Sequence, residues 1–209
     1  MIAALRRSIE TEEFDYNSLK SHLSGYSAPR DKITALLKAG DIIRVKKGLY
    51  VFGSQYARRP FSKEILANLI YGPSYVSLEW ALAFYGLIPE RAETVTSITS
   101  QKNKLFTTPV GAFRYRYLHP AKYSLGIRLV PITEKHHFLM ATPEKALADV
   151  LALKSGVLSE NEFEHLLFED MRVDNEELKK IKSVNIKALA GPYRHVNVDH
   201  LDRFLGRLK

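Results

Sequence analysis

The 209-residue sequence contains no cysteine. That excludes disulfides, thiolate nucleophiles and cysteine-ligated zinc. No apolar run approaches the roughly 20 residues that a membrane-spanning helix requires. Arg6 and Arg7 are not followed by the apolar core of a signal peptide, so the expectation is a cytoplasmic protein with no membrane contact. The Gly-x-Ser-x-Gly elbow, the phosphate-loop lysine motif and Gly-x-Gly-x-x-Gly are also missing, which removes the commonest hydrolase and nucleotide signatures. What is present is an ordinary apolar fraction of 45% and a net charge of +8. Such a charge points to an anionic partner without naming one.

The charge is unevenly placed. Residues 27–60 hold 8 basic and 2 acidic side chains, and residues 91–135 again hold 8 against 2. Residues 159–177 carry eight carboxylates and a single arginine, Arg172. A polyanion would meet the first two regions and be repelled by the third.

The punctuation of the first basic region predicts a compact motif. A short helix is expected over residues 2–9, and Asp15 can cap a second one through residue 23. Ser27 can cap a third, with Pro29 in its first turn and Gly40 as its stop. Ile33, Leu36 and Leu37 form the apolar stripe of that helix, leaving Arg30, Lys32, Thr34 and Lys38 outside it. Residues 42–46 and 49–52 then read as two strands around a Lys47-Gly48 turn. Three helices and a basic hairpin describe a winged helix-turn-helix domain over residues 1–56, joined to the rest by a polar linker at 54–60.

Residues 61–209 read as a larger α+β domain with an antiparallel sheet and C-terminal helices. Helices are expected at 63–71 and at 78–85, the latter capped by Ser77. Strands are expected at 94–99, 113–118, 127–132 and 136–140. Thr142 followed by Pro143 and Glu144 opens a further helix, and the tail is helical at 160–168, 175–182, 186–190 and 199–208. Tyr71, Tyr75, Trp80, Phe84 and Tyr85 are better explained as core than as a base-stacking platform.

DNA binding is the chemistry these residues fit best. A recognition helix turns its outer side chains to base edges, and its flanks and wing hold phosphates. Arg30, Lys32 and Thr34 are candidates for the groove, and Arg30 can fork onto a guanine edge. Ser27 suits a phosphate at the helix start, while Lys38, Arg44, Lys46 and Lys47 suit the backbone beside it. Strict alternation puts Arg44 and Lys46 on one strand face. Arg114, Arg116 and Arg128 form a possible second basic face.

Catalysis has less support. His136 and His137 would point to opposite faces of a strand, and the spacing of His195, Asp199 and His200 matches no familiar metal site. Glu134 and Lys135 are only a fragment of a metal-dependent nuclease set. No catalytic residues, metal or cofactor are expected.

Four blocks appear in order between residues 36 and 149. They are Leu36-Leu37-Lys38-Ala39-Gly40, Ile43-Arg44-Val45-Lys46-Lys47-Gly48-Leu49-Tyr50, Tyr75-Val76-Ser77-Leu78-Glu79-Trp80-Ala81-Leu82 with Tyr85-Gly86-Leu87-Ile88-Pro89, and Thr142-Pro143-Glu144-Lys145-Ala146-Leu147-Ala148-Asp149. Together they resemble the AbiEi family of antitoxins and their transcriptional-regulator relatives. The resemblance implies a winged-helix domain that binds the operator of its own operon as an autorepressor. It also implies a second domain that counteracts a nucleotidyltransferase toxin encoded next door, as in type IV toxin–antitoxin systems of abortive infection and phage defence. In such systems the antidote need not form a stable complex with the toxin. The alternative is a free-standing winged-helix regulator whose second domain binds a ligand or protein partner.

Overall fold

The computed structural model describes residues 1–134, 136–157 and 159–208. Its first six elements are α1 (Ile2–Ser8), β1 (Glu13–Asp15), α2 (Tyr16–His22), α3 (Pro29–Lys38), β2 (Ile42–Lys46) and β3 (Leu49–Phe52). Local chemistry explains most of their ends. The Asp15 carboxylate accepts from the Ser18 N–H at 2.8 Å, starting α2. That bonding holds the Asp15 carboxyl below the ordinary carboxylate range. Pro29 opens α3, where its missing N–H would be unpaired anyway. Gly40, at φ +73, turns the chain out of α3, and Gly48, at φ +86, makes the β2–β3 turn. β1 lies outside the sequence expectation; it pairs antiparallel with β3, giving the strand order β1-β3-β2.

β3 is buried on both faces, and the β2–β3 hairpin contributes to two cores. Ile42, Tyr50 and Phe52 join Phe14, Leu19, Ile33 and Leu36 in a small core. Val45, Leu49 and Val51 instead enter the larger core of the rest of the chain. The segment expected as a linker is tied down as well. The Arg58 side chain donates to the Arg6 carbonyl at 2.9 Å, and its N–H donates to Glu12 at 3.3 Å. The Ser62 N–H donates to Glu13 at 2.5 Å. Glu12 also pairs with the buried Arg6 at 2.5 Å.

The remaining residues form α4 (Lys63–Ile70), β4 (Ser74–Val76), α5 (Leu78–Phe84), β5 (Val95–Thr99), β6 (Lys104–Thr108), β7 (Gly111–Tyr117), α6 (Pro120–Tyr123), β8 (Ile127–Thr133), β9 (His136–Ala141) and α7 (Pro143–Ala152). After them come α8 (Glu160–His165), a π-helical turn (Leu166–Asp170), α9 (Asn175–Lys179), α10 (Ser183–Tyr193) and α11 (Val196–Arg207). The fold is therefore mixed α+β. Its six-stranded sheet has the order β6-β7-β5-β4-β9-β8.

This sheet is mixed, not antiparallel as the strand list suggests. β5 runs parallel to β7, and β4 runs parallel to β9. The cause lies in β4 and β6, which the sequence reading lacks. β6 takes the outer edge and reverses the chain once more, so β7 reaches β5 in the same direction. Helices cover both faces. The Tyr115 hydroxyl donates to the Ala67 carbonyl at 2.6 Å, placing α4 on one face. On the other face Tyr75 donates to Asp149 of α7 at 3.0 Å. Asn68 of α4 exchanges two hydrogen bonds with the Leu139 backbone, at 2.6 and 3.3 Å. Its amide thus stands in for a strand neighbour along β9. Among the described residues, no helix is long and apolar enough to cross a membrane.

Candidate nucleic-acid interface

Ile33 and Leu36 pin α3 to the small core, and this orients its other side. Arg30, Lys32 and Lys38 are exposed there, and Lys32 lies 5.5 Å above the Tyr26 ring. Arg44 is exposed on β2, 6.0 Å from the Tyr50 ring that stands opposite it. Lys47 is exposed at the hairpin turn. None of Arg30, Lys32, Lys38, Arg44 and Lys47 forms an ion pair among the described residues. They present a set of unneutralised cations suited to phosphates.

Three expected contacts are placed differently. Ser27 is not the cap of α3: the cap position belongs to Ala28 and carries no side-chain bond. Pro29 at the first helical position moves the helix start one residue on, leaving Ser27 exposed before it. The Thr34 hydroxyl turns back along its own helix and donates to the Arg30 carbonyl at 3.0 Å. Lys46 departs furthest. A β-bulge between Arg44 and Lys46 places Arg44 opposite Tyr50 but Lys46 opposite Leu49. The extra residue breaks alternation, so Lys46 follows Val45 and Leu49 toward the larger core. Its ammonium donates to the Ile70 carbonyl at the end of α4, and burial lowers its pKa.

The second basic face divides in two. Arg114 and Arg116 alternate with buried Phe113 and Tyr115 on β7, as the pattern predicts. Arg128 lies on β8, at the far end of the sheet. Four strand spacings, about 19 Å, separate the two strands. The three arginines therefore do not make one patch.

The histidines have ordinary partners. His136 is held between Arg59 at 2.9 Å and Thr133 at 2.8 Å. His195 caps α11 by accepting from the Asn197 N–H at 3.3 Å, and burial lowers its pKa. His200 stacks on Phe163 with ring centroids 5.4 Å apart. No group of three or more His, Asp or Glu side chains that could hold a metal occurs among the described residues. Lys135 lies outside the described residues. Of the aromatic group, Tyr75 is fully buried, whereas Phe84 is 52% exposed, edge-on to Tyr85 and Phe138.

A fully buried polar cluster escapes the sequence reading. Lys145 and Asp149, one turn apart on α7, both have no solvent exposure and pair at 3.0 Å. Asp149 accepts from Tyr75 at 3.0 Å, from Ser77 at 2.7 Å and from Tyr193. Lys145 donates to Tyr193 and to the Lys122 carbonyl, the latter at 2.5 Å. Desolvation lowers the Lys145 pKa, against the pull of Asp149, and raises those of Tyr75 and Tyr193. Ser77 stands at the expected cap position of α5, but its hydroxyl is committed to Asp149 and makes no cap bond. The cluster joins β4, α5, α6, α7 and α10, and each of its charges is paired. The i, i+4 spacing of a lysine and an aspartate inside an otherwise apolar helix face is the one signal the sequence offers for it.

Comparison with protein-family models and with curated proteins returned no match to this chain.

Proposed function

We propose that this protein is a DNA-binding transcriptional autorepressor and antitoxin of the AbiEi type. In this reading residues 1–56 form a winged helix-turn-helix domain, with α3 as recognition helix and the β2–β3 hairpin as wing. The carrying observation is the cation set on α3, Arg44 and Lys47, held outward by a core that fixes the helix face. The helix, strand, two helices and hairpin in that order support the reading by fold-level analogy. Arg30 is assigned to a base edge; Lys32, Lys38, Arg44 and Lys47 are assigned to phosphates. Lys46 has a weaker claim, because its ammonium is already bonded within the protein.

The antitoxin half rests on the four sequence blocks that resemble the family. It assigns residues 61–209 to counteracting a nucleotidyltransferase toxin, with no catalysis by this chain. The direct test is binding of a labelled duplex from upstream of its own gene, beside rescue of cells co-expressing the adjacent nucleotidyltransferase. Arg30→Ala should relax sequence preference; if overall affinity alone falls, Arg30 is a phosphate contact. Repression without rescue would favour the competing reading, a free-standing regulator with a ligand-binding second region. The cleft below Arg114 and Arg116 is the observation on its side.

A further inference from the structure

Arg114 and Arg116 open onto a cleft of about 140 Å³ between β7 and the α5–α7 layer. Register fixes which side of the sheet this is. Arg116 stands beside Ile98, and Ile98 beside Tyr75, whose hydroxyl meets Asp149 of α7. The first 52 residues dock elsewhere, through Lys46 onto α4 on the opposite face. DNA held by α3 would therefore be separated from the cleft by the sheet.

Three cations converge on this space: Arg114, Arg116 and Lys154, with Glu79 as the one carboxylate among the lining residues. Among the described residues, no side-chain hydrogen bond or ion pair engages the three cations. Leu78, Val150 and Leu153 supply the smaller, apolar part of the lining. Leu78 holds φ +59, a conformation that a leucine adopts only where its surroundings impose it.

We propose that this cleft binds a phosphorylated small molecule. Its phosphate would lie on the Arg114 and Arg116 guanidinium groups and the Lys154 ammonium, which suit phosphate oxygens. Its organic part would rest on Leu78 and Val150. Glu79 opposes a bare anion and accepts from a ligand hydroxyl or amino group, so a nucleotide fits better than inorganic phosphate. The volume admits a phosphoryl group with part of its carrier and excludes a duplex.

The test is calorimetric titration of the full chain with adenosine 5′-monophosphate, pyrophosphate and a single-stranded oligonucleotide. Adenosine 5′-monophosphate should bind at millimolar concentration or below, and Arg114→Gln/Arg116→Gln should weaken it by at least about tenfold. Lys154→Gln should weaken it less, and Lys102→Gln, on an exposed loop, should not change it. Thermal melting establishes that each variant is folded. Absence of binding by both small ligands, or full affinity in the double arginine variant, overturns the proposal. Tighter binding of the oligonucleotide than the mononucleotide through the same arginines also overturns it, in favour of a polyanion-binding surface. Duplex binding through α3 is measured on the same double variant and should be unchanged, so failure of the operator reading remains distinguishable.

Discussion

Lys46 and Lys47 are neighbours with opposite surroundings, and if the protein binds DNA as proposed, a salt titration of that binding separates them. Lys47 is exposed at the turn, whereas the Lys46 ammonium sits on the Ile70 carbonyl. Suppose Arg30, Lys32, Lys38, Arg44 and Lys47 each neutralise one phosphate. At about 0.9 per contact, log K should then fall with log salt at a slope of about −4.5. From about 50 to about 200 mM salt, that slope means an affinity loss of about 500-fold. Lys47→Ala should flatten the slope to about −3.6, reducing the loss over the same range to about 150-fold. Lys46→Ala should leave the slope unchanged. It should instead remove a charge-assisted bond between hairpin and α4, costing about 1 kcal/mol of stability at this half-buried position. Fluorescence anisotropy of a labelled duplex across a potassium chloride series reads the slopes, and thermal melting reads the stability. If Lys46→Ala flattens the slope as much as Lys47→Ala does, the bulge does not remove Lys46 from the DNA face. Strand register then does not decide which lysine meets the phosphates.

Three further outcomes follow from the packing. Asp149→Ala leaves Lys145 buried without its counter-ion and should cost about 3–5 kcal/mol in urea unfolding; Lys145→Met/Asp149→Leu should recover much of that loss, and a single variant as stable as wild type would refute the paired-charge account. Gly53→Ala puts a Cβ 1.8 Å from the Gly40 carbonyl oxygen, so the α3–β2 corner must shift at a cost of at least about 2 kcal/mol; an unchanged melting temperature would show that the corner yields freely. Burial raises the Glu13 carboxyl pKa. Its contribution is thus fully present below the unfolded carboxylate pKa and is lost as pH rises through the raised folded value. Glu13→Gln, which retains an acceptor for the Ser62 N–H, should stabilise the protein at neutral pH and lose that advantage in acid; the opposite pH trend in melting temperature would contradict the assignment.

Elements that end on a local signal are legible in the sequence. β2 and β3 fall at 42–46 and 49–52 because the Lys47-Gly48 turn and Gly40 bracket them. α7 begins where Thr142 and Pro143 place it, with the Thr142 hydroxyl accepting from the Lys145 N–H at 3.3 Å. β1, β4 and β6 are not legible in the sequence. β1 and β4 have three residues each, too few to show a period, and β6 is a largely exposed edge strand. In the six-stranded sheet, β6 supplies the reversal that makes β7 parallel to β5, and β4 lies between β5 and β9; without these two strands the sheet reads as antiparallel. Exposure of Arg30, Lys32 and Lys38 follows from the apolar periodicity of α3, and that of Lys47 from its place in the turn. The position of Lys46 does not, because a bulge is set by pairing with β3 and leaves no mark on the residue type.

The hairpin also bears on how the two halves would divide the proposed repressor and antitoxin roles. Val45, Leu49 and Val51 are buried in the same core as Leu66, Ile70 and Val76. Deleting residues 1–56 would strip those three side chains from that core and leave the Ile70 carbonyl without Lys46. Loss of toxin rescue in such a truncation would therefore report unfolding as readily as a shared function. Exposed positions avoid that confusion. Arg30→Ala/Lys47→Ala removes two cations that touch neither core, so a variant that loses repression but keeps rescue would separate the activities. If this double variant loses both while melting normally, the α3 face itself takes part in neutralising the toxin, and operator reading and antidote share one surface.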